Sequence, residues 1–252
     1  MDGAREMSRD GRTAIISMAH GRTNPIGPQM VAELHQAVLQ ARDDPDTSAV
    51  VLASASDRFF SIGLDIPQLY PMDREEFAVF AVSFDRLCMD LYTLPKPTVA
   101  ALTGHATAGG CILALGADHR IIGSGRRLMG LNEVKLGVIV PWPADRMLRA
   151  MVDGRTARLV IEHGEFYPPD ELLAMGLVDE VVDPEQVIPS AVHLATSMSA
   201  MPPQAYAALK AIRTGPVLEG ILSELEVRQV EFVNMWFSPH AREQLDEAMQ
   251  RF

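Results

Sequence analysis

The stretch "TVAALTGHATAGGCILALGAD", Thr98 to Asp118, decides the fold class. It opens with a short apolar run of the kind that fills a strand covered on both faces. Glycines at 104, 109 and 110 then turn the chain, and an apolar segment of helical character runs on to Gly116. A strand that passes through glycines into a helix is an α/β unit, and its turn leaves main-chain N–H groups without an intrahelical partner.

The same alternation extends on both sides. Upstream, "TAIISM" (13–18) is rich in β-branched residues and reads as a strand, followed by the turn chemistry of "HGRTNPIG". Met30, Leu34, Val38 and Ala41 recur at helical spacing, and "SAVVLAS" (48–54) is a second buried strand. A helix begins near Glu75 and stops at the prolines of "LPKP". Downstream, "HRIIGS", "RLMGL" and "GLVDEVV" (176–182) are strand candidates. From Pro184 onward every periodic segment is helical: a stripe from Val187 to Met198, then helices near 203–213, 216–237 and 239–251. Leu222, Leu225, Val230, Val233, Trp236 and Phe237 give this tail an apolar face that the core or another subunit must cover.

At 252 residues the chain can build one main core. Its 33 acidic against 22 basic residues, net −11, repel a polyanion, so no nucleic-acid partner is expected. Cys88 and Cys111 lie in apolar helical runs with neither metal-ligand spacing nor the density of a disulfide framework, which fits a reducing compartment. The start "MDGAREMSRDGR" has no apolar signal segment, and apolar runs fall short of the roughly 20 residues that span a bilayer. The expectation is a cytoplasmic protein with no membrane partner. His20, His105 and His119 lack zinc-site spacing, and no dinucleotide or phosphate-loop glycine pattern follows a strand. Neither a metal nor a bound cofactor is expected.

Three segments look like parts of one site: "DRFFSIGLDIPQL" (57–69), "GHATAGG" (104–110) and "GLNEVKLGVIVPWP" (130–143). The first two break strands with small residues and glycines, so their main-chain N–H groups are able to converge on one oxygen. Taken singly, Gly109 and Gly110 also read as a tight turn against a strand, and Glu133 as a surface carboxylate paired with Lys135.

In that order and at those separations the three segments resemble the crotonase (enoyl-CoA hydratase/isomerase) superfamily, over nearly the whole chain. The resemblance implies a spiral of ββα units over 1–195 that holds an acyl-CoA site, and a helical region over 196–252 that assembles a trimer, or a hexamer of two trimers. It implies an acyl-coenzyme A thioester as substrate, with the coenzyme part of that substrate. The thioester oxygen would be held by the N–H groups of Ile62 and Gly109, inside loops that also bring Ser61, Gly63, Leu64, Asp65 and Gly110 to the ligand. Arg58, and more weakly Lys96, would face the coenzyme's phosphates. Arg58 reads equally as a solvated arginine, and Asp65 as the cap of the segment after it.

Hydratases of the superfamily use two glutamates to activate water. One of those positions, three residues after the oxyanion glycine, is Ile112 here, and the other matches Glu133. The chain therefore looks closest to the mitochondrial-type Δ3,Δ2-enoyl-CoA isomerases, which rely on one carboxylate. Such chemistry needs a base for the α-proton, a cradle for the dienolate and a proton for the γ-carbon, and one carboxyl group that reaches both carbons suffices. An apolar shell of Ile112, Leu136, Val138 and Trp142 is expected to raise the pKa of Glu133. The rivals are another reaction of the superfamily, such as hydration, hydrolysis or decarboxylation, and a non-catalytic acyl-CoA-binding subunit.

Overall fold

The computed structural model describes residues 5–249. Its architecture is mixed α/β with a helical C-terminal region, and the spiral is visible as one pattern repeated along the chain. A long strand is followed by a short second strand and then a helix. The repeats are Thr13–Met18, Pro25–Ile26 and helix Pro28–Asp43; then Ala49–Ser54, Phe59–Ser61 and helix Arg74–Tyr92. Thr98–Leu102, His105–Thr107 and helix Gly109–Leu115 form the third, and His119–Gly123 with Met129–Gly130 opens the fourth.

The long strands pair in parallel in one six-stranded sheet, with Glu180–Val182 at its far edge. Its other edge is Arg5–Asp10, antiparallel to Thr13–Met18. That edge strand lies in polar "REMSRD", where no alternation marks it, so pairing with its neighbour creates what the pattern does not announce. Ala49–Ser54 is buried at every position, as its unbroken apolar run requires. Val50 and Leu52 face the main core, while Ala49, Val51 and Ala53 pack with Val99, Ala101 and Ile121 under Val187, Ala191 and Ala195 of helix Val187–Ser199. Cys88 and Cys111 are both buried and unpaired.

The short strands form a second sheet in the order Phe166–Tyr167, Met129–Gly130, His105–Thr107, Phe59–Ser61, while Pro25–Ile26 pairs separately with Gly63–Leu64. Ser61 pairs beside Ala106, and Thr107 beside Gly130. Because these neighbours run in parallel, the chain leaves each at the same end, and the segments after Ser61, Thr107 and Gly130 emerge side by side. That arrangement creates the site. Two- and three-residue strands carry no periodicity, so the sequence indicates them only as turns.

The C-terminal region departs from expectation in two ways. Residues read as separate helices at 203–213 and 216–237 form one helix, Pro203–Trp236, with Pro216 inside it. Proline lacks the donor for that turn, yet buried Lys210, Thr214 and Ile221 anchor the helix on both sides of it. Asp118 clamps this helix to the core: its Oδ2 accepts from Lys210 Nζ at 2.7 Å and Tyr206 Oη at 3.0 Å, and from the main-chain N–H and hydroxyl of Thr98, each at 2.9 Å. Arg213 pairs with the other oxygen. The division at 195/196 falls inside helix Val187–Ser199, and the long helix packs directly on the spiral. Val233 and Trp236 of the apolar face are buried there, whereas Leu222 and Val230 stay exposed. Among the described residues no helix is long and apolar enough to cross a membrane.

Candidate active site

A cavity of about 450 Å³ opens where the three loops emerge, and Ile62, Leu64, Ala108, Ile112, Glu133 and Leu136 are among its lining residues. Glu133 begins the 3-10 turn Glu133–Leu136, which Gly137 ends in a left-handed conformation at φ 74°. The residue is 7% exposed, and its buried Oε2 has no hydrogen-bond partner. Lys135, the candidate partner, points elsewhere and bonds Glu165 at 2.7 Å. Burial pushes the Glu133 carboxyl up to about 7, only partly offset by the main-chain N–H groups of Glu133 and Asn132. A surface carboxylate is thereby excluded.

The backbone opposite is held by close approaches. Gly63 has φ +102°, and a Cβ there would stand 2.8 Å from Ala108 Cβ and 3.0 Å from Gly109 N. A Cβ on Gly110 would meet Ser61 O at 2.4 Å. Between these glycines Ala108 adopts φ 49°, ψ −121°, unusual for a residue with a side chain. Hydrogen bonds on both sides hold it there, Ala108 N to Gly130 O at 2.9 Å and Ile112 N to Ala108 O at 3.0 Å. Strain of this kind costs about 1–3 kcal/mol and persists where the surroundings over-determine it. It turns the first residue of the helix, Gly109, so that its N–H lies against Gly63.

The second donor differs from expectation. Ile62 N already donates to Thr23 O at 3.0 Å, so that amide is engaged. Leu64 pairs with Ile26 in a parallel ladder in which Asp65 N donates to Ile26 O at 3.0 Å. Alternation along a strand then turns the Leu64 N–H away from Pro25–Ile26. Leu64, two residues beyond the position read from sequence, supplies the outward-facing amide, and its side chain touches the place where a Gly109 Cβ would be.

Other candidates separate in the same way. Ile112 and Leu136 line the cavity with Val138. Ser61 does not: it is fully buried, its hydroxyl donating to Asn24 O at 2.7 Å and accepting from Gly63 N at 3.1 Å, so it braces the loop. Gly110 is buried behind Ser61. Asp65 caps the following helix, Ile66–Leu69, by accepting from Gln68 N at 3.1 Å. Lys96 donates to Ala41 O and Asp44 O at 2.6 and 2.8 Å, closing the end of helix Pro28–Asp43 rather than facing a ligand. Trp142 is outside the cavity as well; its indole donates to Ile221 O at 3.2 Å and its ring lies under Arg146 and Arg228. The tryptophan on the cavity wall is Trp236, with Phe232 and Ala248, all from the C-terminal helices. Helical periodicity marks these residues as buried but is silent on which cavity they bound. Arg58 is exposed in a groove that it shares with Arg22, and Phe59 lines both this groove and the cavity.

Comparison with known proteins shows what the chain is similar to as a whole. The family model described as enoyl-CoA hydratase/isomerase matches residues 10–252. Human mitochondrial enoyl-CoA delta isomerase 1 is 27% identical over 239 residues, covering 94% of this chain and 79% of the human protein. A probable enoyl-CoA hydratase of Mycobacterium tuberculosis is 33% identical over 205 residues, covering 81% of this chain and 77% of that one. The crystal structure of human mitochondrial Δ3-Δ2-enoyl-CoA isomerase superposes with a TM-score of 0.94 at 26% identity, over 98% of this chain and 97% of that chain.

Proposed function

Because the chain belongs to the enoyl-CoA hydratase/isomerase family, we propose that it moves the double bond of a 3-enoyl-CoA to the 2-position, with Glu133 as the single proton shuttle. The supporting observation is one buried carboxyl with a free oxygen, in a cavity that Ile112 lines with an inert side chain at the position where the resemblance puts the hydratases' second acid.

The thioester oxygen sits between the N–H groups of Gly109 and Leu64, which lowers the energy of negative charge on that oxygen. Glu133 Oε2 takes the α-proton, the electron pair moves into a dienolate, and the protonated carboxyl returns the proton to the γ-carbon. No atom is gained or lost, and no water is needed. A carboxyl ionising at about 7 is half in the basic form near neutral pH and is a competent acid once protonated. Arg22 and Arg58, in the groove next to Phe59, are placed to meet the phosphates of the coenzyme. The exposed Leu209, Ile212, Leu222 and Val227 of the long helix support self-association, for which a trimer or a pair of trimers is our reading.

The test offers a 3-enoyl-CoA and a 2-enoyl-CoA separately to wild type and to Glu133→Gln. Conjugation of the first without hydration of the second, lost in the variant, supports isomerisation. A 3-hydroxyacyl product supports hydration, and binding without turnover supports a scaffold role.

A further inference from the structure

Among the described residues three buried side-chain polar atoms lack a hydrogen-bond partner: Glu133 Oε2, Arg146 Nε and Trp236 Nε1. Two of the three belong to residues lining the same cavity. Glu133 has the proton-shuttle role proposed above. Trp236 has no part in that chemistry.

Its ring is fixed: 2% exposed, it stacks on Phe77 with centroids 4.2 Å apart and planes 16° from parallel, and Phe77 is in turn packed against Phe80, Phe232 and Phe237. Phenylalanine would fill an aromatic cluster of this kind without any polar atom. The indole N–H only donates, so a buried ring that cannot turn needs an acceptor brought to it. Trp142, the other tryptophan, does have its acceptor, Ile221 O. Trp236 stands on the wall formed with Phe232 and Ala248, supplied by the C-terminal helices, whereas the amides that face the thioester come from the loops at Leu64 and Gly109. What reaches Trp236 is therefore the acyl chain. No Lys, Arg or His lines the cavity and Glu133 does, so an anionic tail would lie unpaired beside a carboxyl group.

The geometry points to Trp236 as a specificity-determining residue that donates its indole N–H to a neutral oxygen, hydroxyl or oxo, on the acyl chain, which makes oxygen-bearing enoyl-CoA thioesters the preferred substrates over plain alkyl ones. This rests on the acyl-CoA reading above and adds the substituent to it.

The test is equilibrium binding, separate from turnover. Octanoyl-CoA and hydroxyoctanoyl-CoA compounds carrying the hydroxyl at successive carbons beyond the reacting ones are titrated calorimetrically into wild type and Trp236→Phe. At least one hydroxy compound should bind wild type about tenfold more tightly than octanoyl-CoA, the worth of one buried hydrogen bond, and that ratio should fall to near unity in the variant. Equal affinities in wild type, or a preference that survives Trp236→Phe, overturn the assignment. A measurement on the wild-type protein guards against a variant that fails to fold. With the tryptophans labelled with ¹⁵N, the Trp236 indole resonance should move on adding the preferred hydroxy compound and not on adding octanoyl-CoA, with Trp142 as internal reference; an equal response to both overturns the assignment. If no acyl-CoA binds at all, the acyl-CoA reading itself falls and takes this one with it.

Discussion

Replacing Glu133 with glutamine should remove activity and add stability. The group is buried, and burial lifts its carboxyl from 4.5 to about 7. A carboxyl with a raised folded pKa holds its proton in the native state while the unfolded chain has lost it, so stability falls as pH rises from the unfolded value through the folded one. At 1.36 kcal/mol per pKa unit, the ionised carboxylate costs the wild-type fold about 3 kcal/mol at pH 8, and less than about 1 kcal/mol at pH 5. Glutamine, neutral and similar in shape, escapes the charge penalty. Urea unfolding should find Glu133→Gln more stable than wild type by up to about 3 kcal/mol at pH 8, with the gap closing by pH 5. Buried Asp85, also lifted to about 7 by burial, titrates in the same window, but it is common to both proteins and cancels in the difference. Turnover of a 3-enoyl-CoA should fall by about 10²–10⁴-fold in the variant, and the wild-type rate should lose its plateau below about pH 7. If the variant is no more stable at pH 8, or the wild-type acid limb lies near 4.5, burial does not hold the Glu133 carboxyl above its ordinary value and the reasoning fails.

Gly63→Ala forces a Cβ to within 2.8 Å of Ala108 and 3.0 Å of Gly109 N at φ +102°; displacing one amide donor should cost about 10²–10³-fold in kcat, and near-normal turnover would remove the Gly109–Leu64 cradle from the mechanism. Trp142→Phe loses the bond to Ile221 O and should lower stability by about 1 kcal/mol with kcat/KM unchanged, whereas a large kinetic loss would return Trp142 to the site. Asp118→Asn leaves Lys210 buried without its counter-charge and should cost about 3–5 kcal/mol in urea unfolding at neutral pH. Burial works to raise the Asp118 carboxyl, but Lys210 and Arg213 outweigh it and hold it below its ordinary value; its stabilisation is thus present above the ordinary carboxylate range and fades as pH drops through the lowered one, so the variant's deficit should shrink in acid. Light scattering should give a mass above the 27.6 kDa of one chain, and Ile212→Asp with Val227→Asp, at positions 73% and 70% exposed, should reduce it to that value; a monomeric wild type would contradict self-association through this face.

Much of the fold was readable because burial writes itself into composition. "SAVVLAS" and "TVAALTG" name central strands, since a strand covered on both faces tolerates no polar position, and Met30 to Ala41 marks a helix by spacing. The edge strand Arg5–Asp10 and the two-residue strands were not readable, because their conformation comes from a neighbour's hydrogen bonds rather than from their own side chains. The break expected near Pro216 failed to appear because packing on either side outweighs one missing donor.

The site divides along the same line. Sequence alone determined that an α/β chain carries two glycine loops and one acid in a fixed order, because those properties belong to residue types and their order; that Ile112 stands where a second acid would be is what the family resemblance adds. Tertiary structure decided that Leu64 rather than Ile62 turns its amide outward, and that Ser61 and Lys96 spend their polar groups on the fold. It also decided that Trp236, and not Trp142, closes the pocket. Each of these depends on which partner a polar group meets across space, and the order of residues along the chain does not record that.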